Sequence, residues 1–509
     1  MGTGLSLGIG IPFRRMGAGI DAQAQAHYNR VIADGGLIPS GLVGVNNFFK
    51  TVKGIYGTSD ITTAISVGLD AQVLGYKLGA GAGTTAGQAA QKLYSCSGAS
   101  GDVVQTTAAS QPLLLVHSGA NYWFGSGVSG NFLSTPNAAA NEITGDIEII
   151  AKVAIYDTGY YNLLVSKDNA SSERSFALSV TNTNYANLTL KIGSGAAADF
   201  TSTVTTGFAA NEINFLKATR NATTGDIEFY KSLDGITYTK IGATISSTAG
   251  VLNNANTIVT VGSQGTVNIA KAKIYRVTIS NSIGGTPVVD FNPNQYNAAN
   301  SQTQWTSSTG EIWSLNVGTA TTGYKGQIVT KTIVQGDGID DNLRAASFSI
   351  NLPAVTSYMA TRKYQNTAVG ILYELGADAG SSSGIATAIN DGANRNAGTI
   401  FGNTANGKGY SSTNILNQLI TCVGDTSQPA NDEVLYFENN VQLAINITFA
   451  NGNNTANINQ SVLNVFSRNA ASLFANVILN TFIIARQADN STNRTAVYNY
   501  IRSINGSAF

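Results

Sequence analysis

From about residue 103 onward, short β-type runs alternate with clusters of Gly, Asn, Asp and Ser. The spacing is that of strands joined by turns, and an Asp-Gly pair at 234–235 is typical of a tight β-hairpin. Many short strands with few helices predict a mainly all-β fold made of sandwiches or jelly rolls. The clearest runs are IEIIAKVAIY (147–156), NLLVSK (162–167), SFALSVT (175–181), IEFYKS (227–232), AKIYRVTIS (272–280), LNQLITCVG (416–424) and LFANVILNTFIIAR (473–486).

Charged residues are scarce and balanced. Asp, Glu, Lys and Arg make up 11% of the chain, where about a quarter is usual. The 29 acidic and 29 basic residues cancel, so no basic field attracts nucleic acid. No stretch reaches the roughly 18 consecutive apolar residues of a membrane helix. We therefore expect neither nucleic-acid binding nor membrane insertion, and a neutral surface rich in hydroxyl and amide groups.

The first hundred residues differ from the rest of the chain. Asp21 to Asp34 reads as a helix with Asp21 as its N-cap, and Ser40 can cap a second helix. The second helix carries an apolar stripe, which must meet either the rest of this chain or another subunit. We expect this stripe to serve assembly. Its residues are Leu42, Val45, Phe48, Phe49, Val52 and Ile55.

These patterns divide the chain into four parts. Residues 1–102, with a Gly-rich run at 79–87, are expected to form a partly helical anchor or assembly segment. Residues 103–291 and 326–509 are expected to form two tandem jelly rolls, the second ending in a helix near 491–504. A Ser/Thr/Asn-rich bridge at 292–325 is expected to join them.

Several strings resemble known families. GDIEFYKSLDGITYTKIG (225–242) and DEVLYFENNVQLA (432–444) resemble paired strands of concanavalin A-like, or laminin G-like, jelly rolls. QTTAASQPLLL (105–115) and QGDGIDDNLRAASFSI (335–350) resemble the strands that open such domains. The sequence of the N-terminal part, including DGGLIPSGLVGVNNFFKTVKGIYG (34–57), is similar to sequences of tailed-phage virion proteins.

The phage resemblance implies a structural role. It implies a head fibre, tail fibre or decoration protein that is assembled in the bacterial host cytoplasm and displayed on the virion surface. The implied partners are capsid, portal or tail proteins, further copies of the chain (by analogy, a trimer) and a host or environmental glycan. A glycan-processing enzyme on the virion and a bacterial surface adhesin are the alternatives.

Catalytic patterns are weak in this sequence. Asp146 and Glu148 lie two residues apart in a TGDIE string, and the string recurs at Asp226 and Glu228. A recurring string of this kind is better explained by a turn and a solvent-facing strand entry than by a pair of glycosidase carboxylates. The chain has two His residues and no zinc-binding or nucleophile-elbow motif. We expect no catalytic residues and no enzyme activity.

Two sets of residues are candidates for binding. Asp337, Asp340 and Asp341, next to Asn342, form the densest acidic patch and could hold calcium, or could simply form an Asp-rich turn. Apart from calcium, no cofactor is expected. Trp123, Trp305 and Trp313 are candidate sugar-contacting rings, or rings that plug the ends of the sandwiches. Cys96 and Cys422 are expected to be buried and unpaired.

Overall fold

The computed structural model describes residues 19–79, 88–169, 173–296, 303–317, 324–337, 339–345, 348–363, 370–376, 385–389, 395–401, 405–411, 417–460, 462–467 and 474–505. Strands dominate this part of the chain, so the mainly all-β fold class is confirmed. Most of the Gly-rich run at 79–87 and the C-terminal Gly506 lie outside the described residues. The helices are α1 (Ala22–Ala33), α2 (Gly41–Tyr56), α3 (Ile61–Ala64) and α4 (Ser491–Asn505).

The strands before the middle of the chain are β1 (Ile65–Leu69), β2 (Tyr76–Leu78), β3 (Ala90–Leu93), β4 (Val103–Val104), β5 (Leu113–Leu115), β6 (Tyr122–Phe124), β7 (Phe132–Thr135), β8 (Ile147–Ile155), β9 (Asn162–Asp168), β10 (Arg174–Val180), β11 (Tyr185–Lys191), β12 (Ala197–Thr205), β13 (Ile213–Arg220), β14 (Asp226–Ser232), β15 (Thr239–Lys240), β16 (Ile245–Ser246), β17 (Val259–Val261) and β18 (Ala272–Ser280).

The later strands are β19 (Pro287–Phe291), β20 (Gln304–Thr306), β21 (Ile312–Asn316), β22 (Gln327–Val329), β23 (Ile333–Gln335), β24 (Leu343–Ala345), β25 (Ile350–Leu352), β26 (Ala354–Lys363), β27 (Gly370–Leu375), β28 (Ile385–Ile389), β29 (Arg395–Phe401), β30 (Ala405–Ser411), β31 (Asn417–Asp425), β32 (Val434–Glu438), β33 (Val441–Gln442), β34 (Ile445–Asn451), β35 (Ile458–Gln460), β36 (Leu463–Val465) and β37 (Val477–Ala485).

Strands β6 to β22 form one sandwich, which we call the inserted sandwich. One of its sheets has the order β12-β11-β10-β9-β17-β7-β21-β20. The other has the order β15-β14-β13-β8-β18-β6-β22, with β16 on β14 and β19 on β18. Their inner faces share one apolar core, in which alternate residues of β8 such as Ile147, Ile149 and Val153 are fully buried. Alternate residues of a strand lie on the same face of a sheet, so these side chains share the inner face of the sandwich.

The remaining strands, apart from β25 and β35, which pair with each other, form a second sandwich from both ends of the chain, which we call the composite sandwich. One sheet has the order β33-β32-β31-β26-β37-β23-β5, and β1 also pairs with β37. The other has the order β2-β3-β4-β24-β36-β27-β28-β29-β30-β34. N-terminal residues such as Val67 and Leu93 share a core with Met359 and Phe482 near the other end.

This pairing differs from the expected division at residue 102. Residues 19–102 are not a separate anchor, because they contribute β1 to β3 and part of the composite core. The first sandwich is inserted into the second rather than placed before it. The expected bridge at 292–325 also differs, since it contributes β20 and β21 to a sheet of the inserted sandwich.

The two sandwiches meet through an apolar cluster. Tyr122 and Phe124 of β6 belong to the inserted sandwich, and Leu113, Leu115 and Ile478 belong to the composite one. All five side chains are buried. The chain crosses this junction twice, between β5 and β6 and between β22 and β23. The junction cluster therefore lies beside two covalent connections.

Helices α1, α2 and α4 cover the outer face of one composite sheet. The side chain of Asp21 caps α1 by accepting from the backbone N–H groups of Gln23 and Ala24, as predicted. Ser40 occupies the N-cap position of α2, but its side chain makes no capping hydrogen bond. None of the helices in the described part of the chain is long and apolar enough to cross a bilayer.

The apolar stripe of α2 packs inside the chain. Val45, Phe48, Phe49 and Val52 are at most 1% exposed, and they join a cluster with residues of β26, β31, β37 and α4. Leu42 and Ile55, at the ends of the stripe, are half-buried. The sequence allowed this stripe to pack against either the rest of the chain or another subunit, and in the structure it packs against the rest of the chain. The expected assembly role of these six residues is therefore not supported.

A substitution in this stripe separates folding from assembly. Phe48→Ala removes a ring that is fully buried and lies 5.8 Å, centroid to centroid, from Tyr500 of α4. We expect its free energy of unfolding to fall by about 3–5 kcal/mol. Val43→Ala, at a residue of the same helix that is 67% exposed, should change it by less than about 0.5 kcal/mol. Urea unfolding with light scattering tests this, and an unchanged stability with a changed oligomeric mass would restore the assembly interpretation.

Candidate functional site

The three tryptophans proposed as sugar contacts lie in the core of the inserted sandwich. Trp123 and Trp313 are fully buried, and Trp305 is 6% exposed. Trp313 packs edge-on against Phe291 at 5.2 Å and donates its indole N–H to the backbone oxygen of Asp290. With no ring face open, these residues act as plugs of the sandwich, which corrects their assignment as ligand contacts.

A glycine shows how closely Trp123 is packed. Gly262 has a φ of +77°, and a Cβ added there would lie 2.1 Å from the indole ring. A side chain at this position would therefore collide with the ring as well as strain the backbone. Gly262 was the sequence signal available for a buried tryptophan. It becomes informative only once its spatial neighbour, Trp123, is known.

The recurring TGDIE strings lie at the same end of two strands that flank β13. Glu148 of β8 and Glu228 of β14 both stand opposite Thr219 of β13. Glu228 accepts hydrogen bonds from Lys240, Tyr230 and Thr244, and these bonds, led by that of Lys240, lower its pKa to about 2. A carboxylate that is held ionised in this way is a poor general acid.

The two entry aspartates are used in turns. Asp146 accepts from the backbone N–H of Ala222 at 2.7 Å, and Asp226 accepts from the hydroxyl of Thr224 at 2.8 Å. The ring of His27 is buried and hydrogen-bonded to the backbone oxygen of Leu74, and burial lowers its pKa. His117 lies elsewhere, 3.1 Å from the side-chain oxygen of Asn121. These contacts agree with the turn that the sequence predicted for TGDIE, but the predicted solvent-facing strand entry is wrong for Glu148, which is 7% exposed.

The acidic residues after β23 come together in space. One carboxylate oxygen from each of Asp337, Asp340 and Asp341 can be chosen so that all three lie within 4.8 Å of one another. We call these three residues the acidic turn. Asp337 accepts from the backbone N–H groups of Ile339 and Asp340, at 2.7 and 3.4 Å. The residues thus form an Asp-rich turn and also a cluster of hard oxygen donors.

Asp341 is the buried member of the acidic turn. It is 1% exposed, and one of its oxygens accepts from the backbone N–H of Asp337 at 3.0 Å. The other oxygen, Oδ1, is buried without a hydrogen-bond partner. Burial, and next the charge of Asp337, raise the pKa of the Asp341 carboxyl to about 9. Burial and the nearby Asp341 also raise the pKa of the Tyr324 hydroxyl.

A separate cleft of about 440 Å³ opens at one end of the inserted sandwich. This volume lies in the range of small-molecule binding sites, about 300–1,000 Å³. Most of its lining residues are polar, and Leu233, which is 69% exposed, adds an apolar edge. We call it the hairpin cleft, because the β14–β15 hairpin forms one wall. Its lining includes Glu212, Asn214, Lys231, Leu233, Thr237 and Thr239.

Local structure fixes the walls of the hairpin cleft. Asp234 accepts from the backbone N–H groups of Ile236 and Thr237, both at 2.8 Å, and these bonds lower its pKa to about 2. Lys217 lies between the rings of Tyr230 and Tyr238, 4.8 and 4.3 Å from their centroids, which holds the hairpin against the sheet. The predicted Asp-Gly hairpin therefore becomes a rigid wall.

Hydrogen-bonding capacity remains along this cleft. The amide of Asn214 donates to Glu212 at 3.1 Å, and Lys231 donates to the backbone oxygen of Thr206 at 2.7 Å. An ammonium group has three donors, and a carboxylate has several acceptor positions. Together with the hydroxyls of Thr237 and Thr239, these groups suit a ligand that both donates and accepts hydrogen bonds. The sequence analysis missed this site because its walls come from two separate stretches of the chain, 207–214 and 231–239.

The chain matches no protein-family model and no curated protein. It is similar to domains LG4-5 of the mouse laminin α1 chain, with 8% identity and a TM-score of 0.29 over 74% of this chain and 96% of that one. It is also similar to a SAP-like pentraxin of Limulus polyphemus, with 10% identity and a TM-score of 0.25 over 33% of this chain and 79% of that one. A third similar structure is the CBM40 of a Ruminococcus gnavus IT-sialidase bound to α2,3 sialyllactose, with 15% identity and a TM-score of 0.26 over 33% of this chain and 91% of that one.

Asparagine in place of Asp341 tests the burial of this carboxyl. An unfolded aspartate has a pKa of about 4. With a folded pKa of about 9, the metal-free folded chain keeps a proton that the unfolded chain releases, so the stability from this group falls as the pH rises through this window. Asp341→Asn lacks this titration. At pH 8 its free energy of unfolding should exceed that of the parent by about 1–3 kcal/mol.

Unfolding by urea at pH 5, 6.5 and 8 in chelator measures this difference. The groups that face Asp341 are Asp337, Asp340 and Tyr324, and they remain in the variant, so the difference between the two chains isolates Asp341. A variant less stable than the parent at every pH would show that the carboxylate is satisfied in the fold.

Proposed function

We propose that this chain is a non-catalytic glycan-binding protein displayed on a bacteriophage particle. The observation that carries the glycan part is the hairpin cleft, whose walls present a carboxylate, an ammonium group, an amide and hydroxyls beside an exposed leucine. Sugars offer this combination of neighbouring hydroxyls and apolar C–H surface. The zero net charge of the chain is in keeping with a neutral, hydroxyl-rich partner.

A binding role fits the carboxylates better than a catalytic one. Glycosidases need one carboxyl group with a raised pKa beside a second carboxylate. In the recurring strings, Glu228 is paired with Lys240, and Asp146 accepts a backbone hydrogen bond. Neither arrangement prepares an acid. Asp341 does have a raised pKa beside Asp337, but at 1% exposure its carboxyl has no surface to offer a substrate. The proposal therefore holds that the chain retains its glycan without cleaving it.

The particle part of the proposal rests on the sequence resemblance to tailed-phage virion proteins. A display protein needs domains that keep a fixed orientation, and the apolar junction cluster between the sandwiches provides a stiff connection. Because the α2 stripe is covered within the chain, contacts with a capsid, portal or tail protein, or with further copies in a trimer, would use other surfaces.

Substitutions in the cleft test the glycan part. An array of neutral and acidic oligosaccharides from bacterial surface polysaccharides identifies a bound sugar, and calorimetry measures its affinity. Glu212→Gln combined with Thr239→Val removes an ionic acceptor and a hydroxyl at two exposed positions, and we expect affinity to fall about tenfold or more. Thr223→Val, an exposed threonine in the turn at the opposite end of β13 and β14, is the matched control.

The outcomes of this experiment are distinct. Equal loss in the cleft variant and the control, or binding by neither parent nor variants to any sugar, would remove the hairpin cleft as a glycan site. Release of reducing sugars by the parent chain would favour the glycan-processing enzyme instead.

The particle part has its own test. Antibodies raised against the inserted sandwich should label purified phage particles in immunogold electron microscopy, and mass spectrometry should find the chain in those particles at a fixed copy number relative to the capsid protein. Finding the chain in the lysate but not in the purified particles would argue for the adhesin or for a free protein.

A further inference from the structure

We propose that Asp337, Asp340 and Asp341 bind one calcium ion whose role is to fix the junction between the two sandwiches. This inference does not depend on the glycan proposal, because the hairpin cleft belongs to the inserted sandwich and the acidic turn follows β23 of the composite one.

The first support is the spacing of the donors. Calcium binds oxygen ligands at about 2.3–2.6 Å, so ligands on opposite sides of the ion are separated by up to roughly 5 Å. The three carboxylate oxygens lie within 4.8 Å of one another. The cluster contains no thiol or imidazole, and a set of carboxylates favours calcium or magnesium over zinc.

The second support is the unpartnered oxygen of Asp341. This residue is 1% exposed, and its Oδ1 is buried and accepts no hydrogen bond. A buried carboxylate oxygen without a donor is costly, and a cation between three carboxylates removes that cost. The hydrogen bonds within an Asp-rich turn account for Asp337, but they leave this oxygen of Asp341 unexplained.

The position of the cluster gives the ion a structural role. Ser110, which precedes β5, donates its hydroxyl to Asp340 at 3.2 Å and accepts the backbone N–H of Asn342 at its carbonyl. Tyr324, which precedes β22, lies beside Asp341 and packs against the junction cluster. Two segments that lead into the crossing strands β5 and β22 therefore meet at the acidic turn, which itself follows β23. An ion held there would stabilise their arrangement without contacting a ligand in the cleft.

Terbium luminescence provides the direct test on the full chain. Terbium replaces calcium in oxygen sites and emits when a nearby tyrosine absorbs, and Tyr324 contacts the site. We expect emission from one bound ion per chain, displaced by calcium. Tyr324→Phe should lose most of the emission while calorimetry still detects calcium binding. Emission that survives in this variant would place the ion elsewhere.

Two variants and a control then separate binding from folding. Asp341→Asn and Asp337→Asn should each lower the affinity for calcium at least tenfold, whereas Asp432→Asn, at an exposed aspartate outside the cluster, should leave it unchanged. At a calcium concentration one hundred times its dissociation constant, the melting midpoint of the parent should rise on the order of 5 °C. The same addition should not move the midpoint of Asp341→Asn.

Three results would overturn the inference. They are an absence of heat on calcium titration, a melting midpoint that is the same in chelator and in calcium, and an Asp341→Asn variant that binds calcium as tightly as the parent. The melting midpoint of Asp341→Asn in chelator is measured beside that of the parent, so that loss of the calcium response in a folded variant cannot be attributed to unfolding.

Discussion

The antiparallel pairing of β1 with β37 is the interaction on which the rest of the structure depends. It joins residues near the start of the described chain to residues near its end, with Leu69 opposite Phe482 and Ile65 opposite Ala485. Beside it, Asp70 accepts the hydroxyl of Thr481 at 2.6 Å and the ammonium group of Lys331 at 3.3 Å. Without this pairing, the composite sandwich would lose the strand that holds its N-terminal segment, and α2, which precedes that strand, would lose its attachment to the sheet on which it packs.

Closing the composite sandwich in this way determines where the inserted sandwich lies. The chain leaves the composite sheet after β5 and returns at β23, and these two strands are hydrogen-bonded neighbours. The strands at the other end of the two crossings, β6 and β22, are also neighbours. The inserted sandwich is therefore attached by two adjacent connections, which restrict its rotation more than a single linker would. The junction cluster and the acidic turn both lie at this attachment.

Local features of the sequence were sufficient for the elements but not for their assembly. The Asp21 cap, the α2 stripe and the hairpin at Asp234-Gly235 follow from short-range chemistry, and the structure has all three. The pairing of β1 with β37 could not be predicted in the same manner, because both strands are buried on both faces and carry no local signal of their partner. This is why residues 1–102 looked like a separate segment.

In the candidate sites too, the sequence could predict local features but not the contacts between distant segments. The acidic turn could be found from sequence because its three aspartates are neighbours in the chain, whereas its burial could not, since Tyr324 and Ser110 approach from distant segments. The tryptophans were misplaced because aromatic residues near turns are equally common in sandwich cores and at binding surfaces. The hairpin cleft was missed because its carboxylate comes from one stretch of the chain, 207–214, and its ammonium group and hydroxyls come from another, 231–239.

The scarcity of charges makes the acidic turn stand out on physical grounds. Two other buried carboxylates have partners that suit a negative charge. Asp102 is paired with Arg30 and Lys92, and Asp489 accepts the hydroxyls of Tyr56 and Tyr358. Asp341 instead faces two further carboxylates and one tyrosine hydroxyl. A fold that uses so few charges and concentrates three of them at its junction requires a positive partner there, either a proton or a metal ion, and three hard oxygen donors around one point favour the ion.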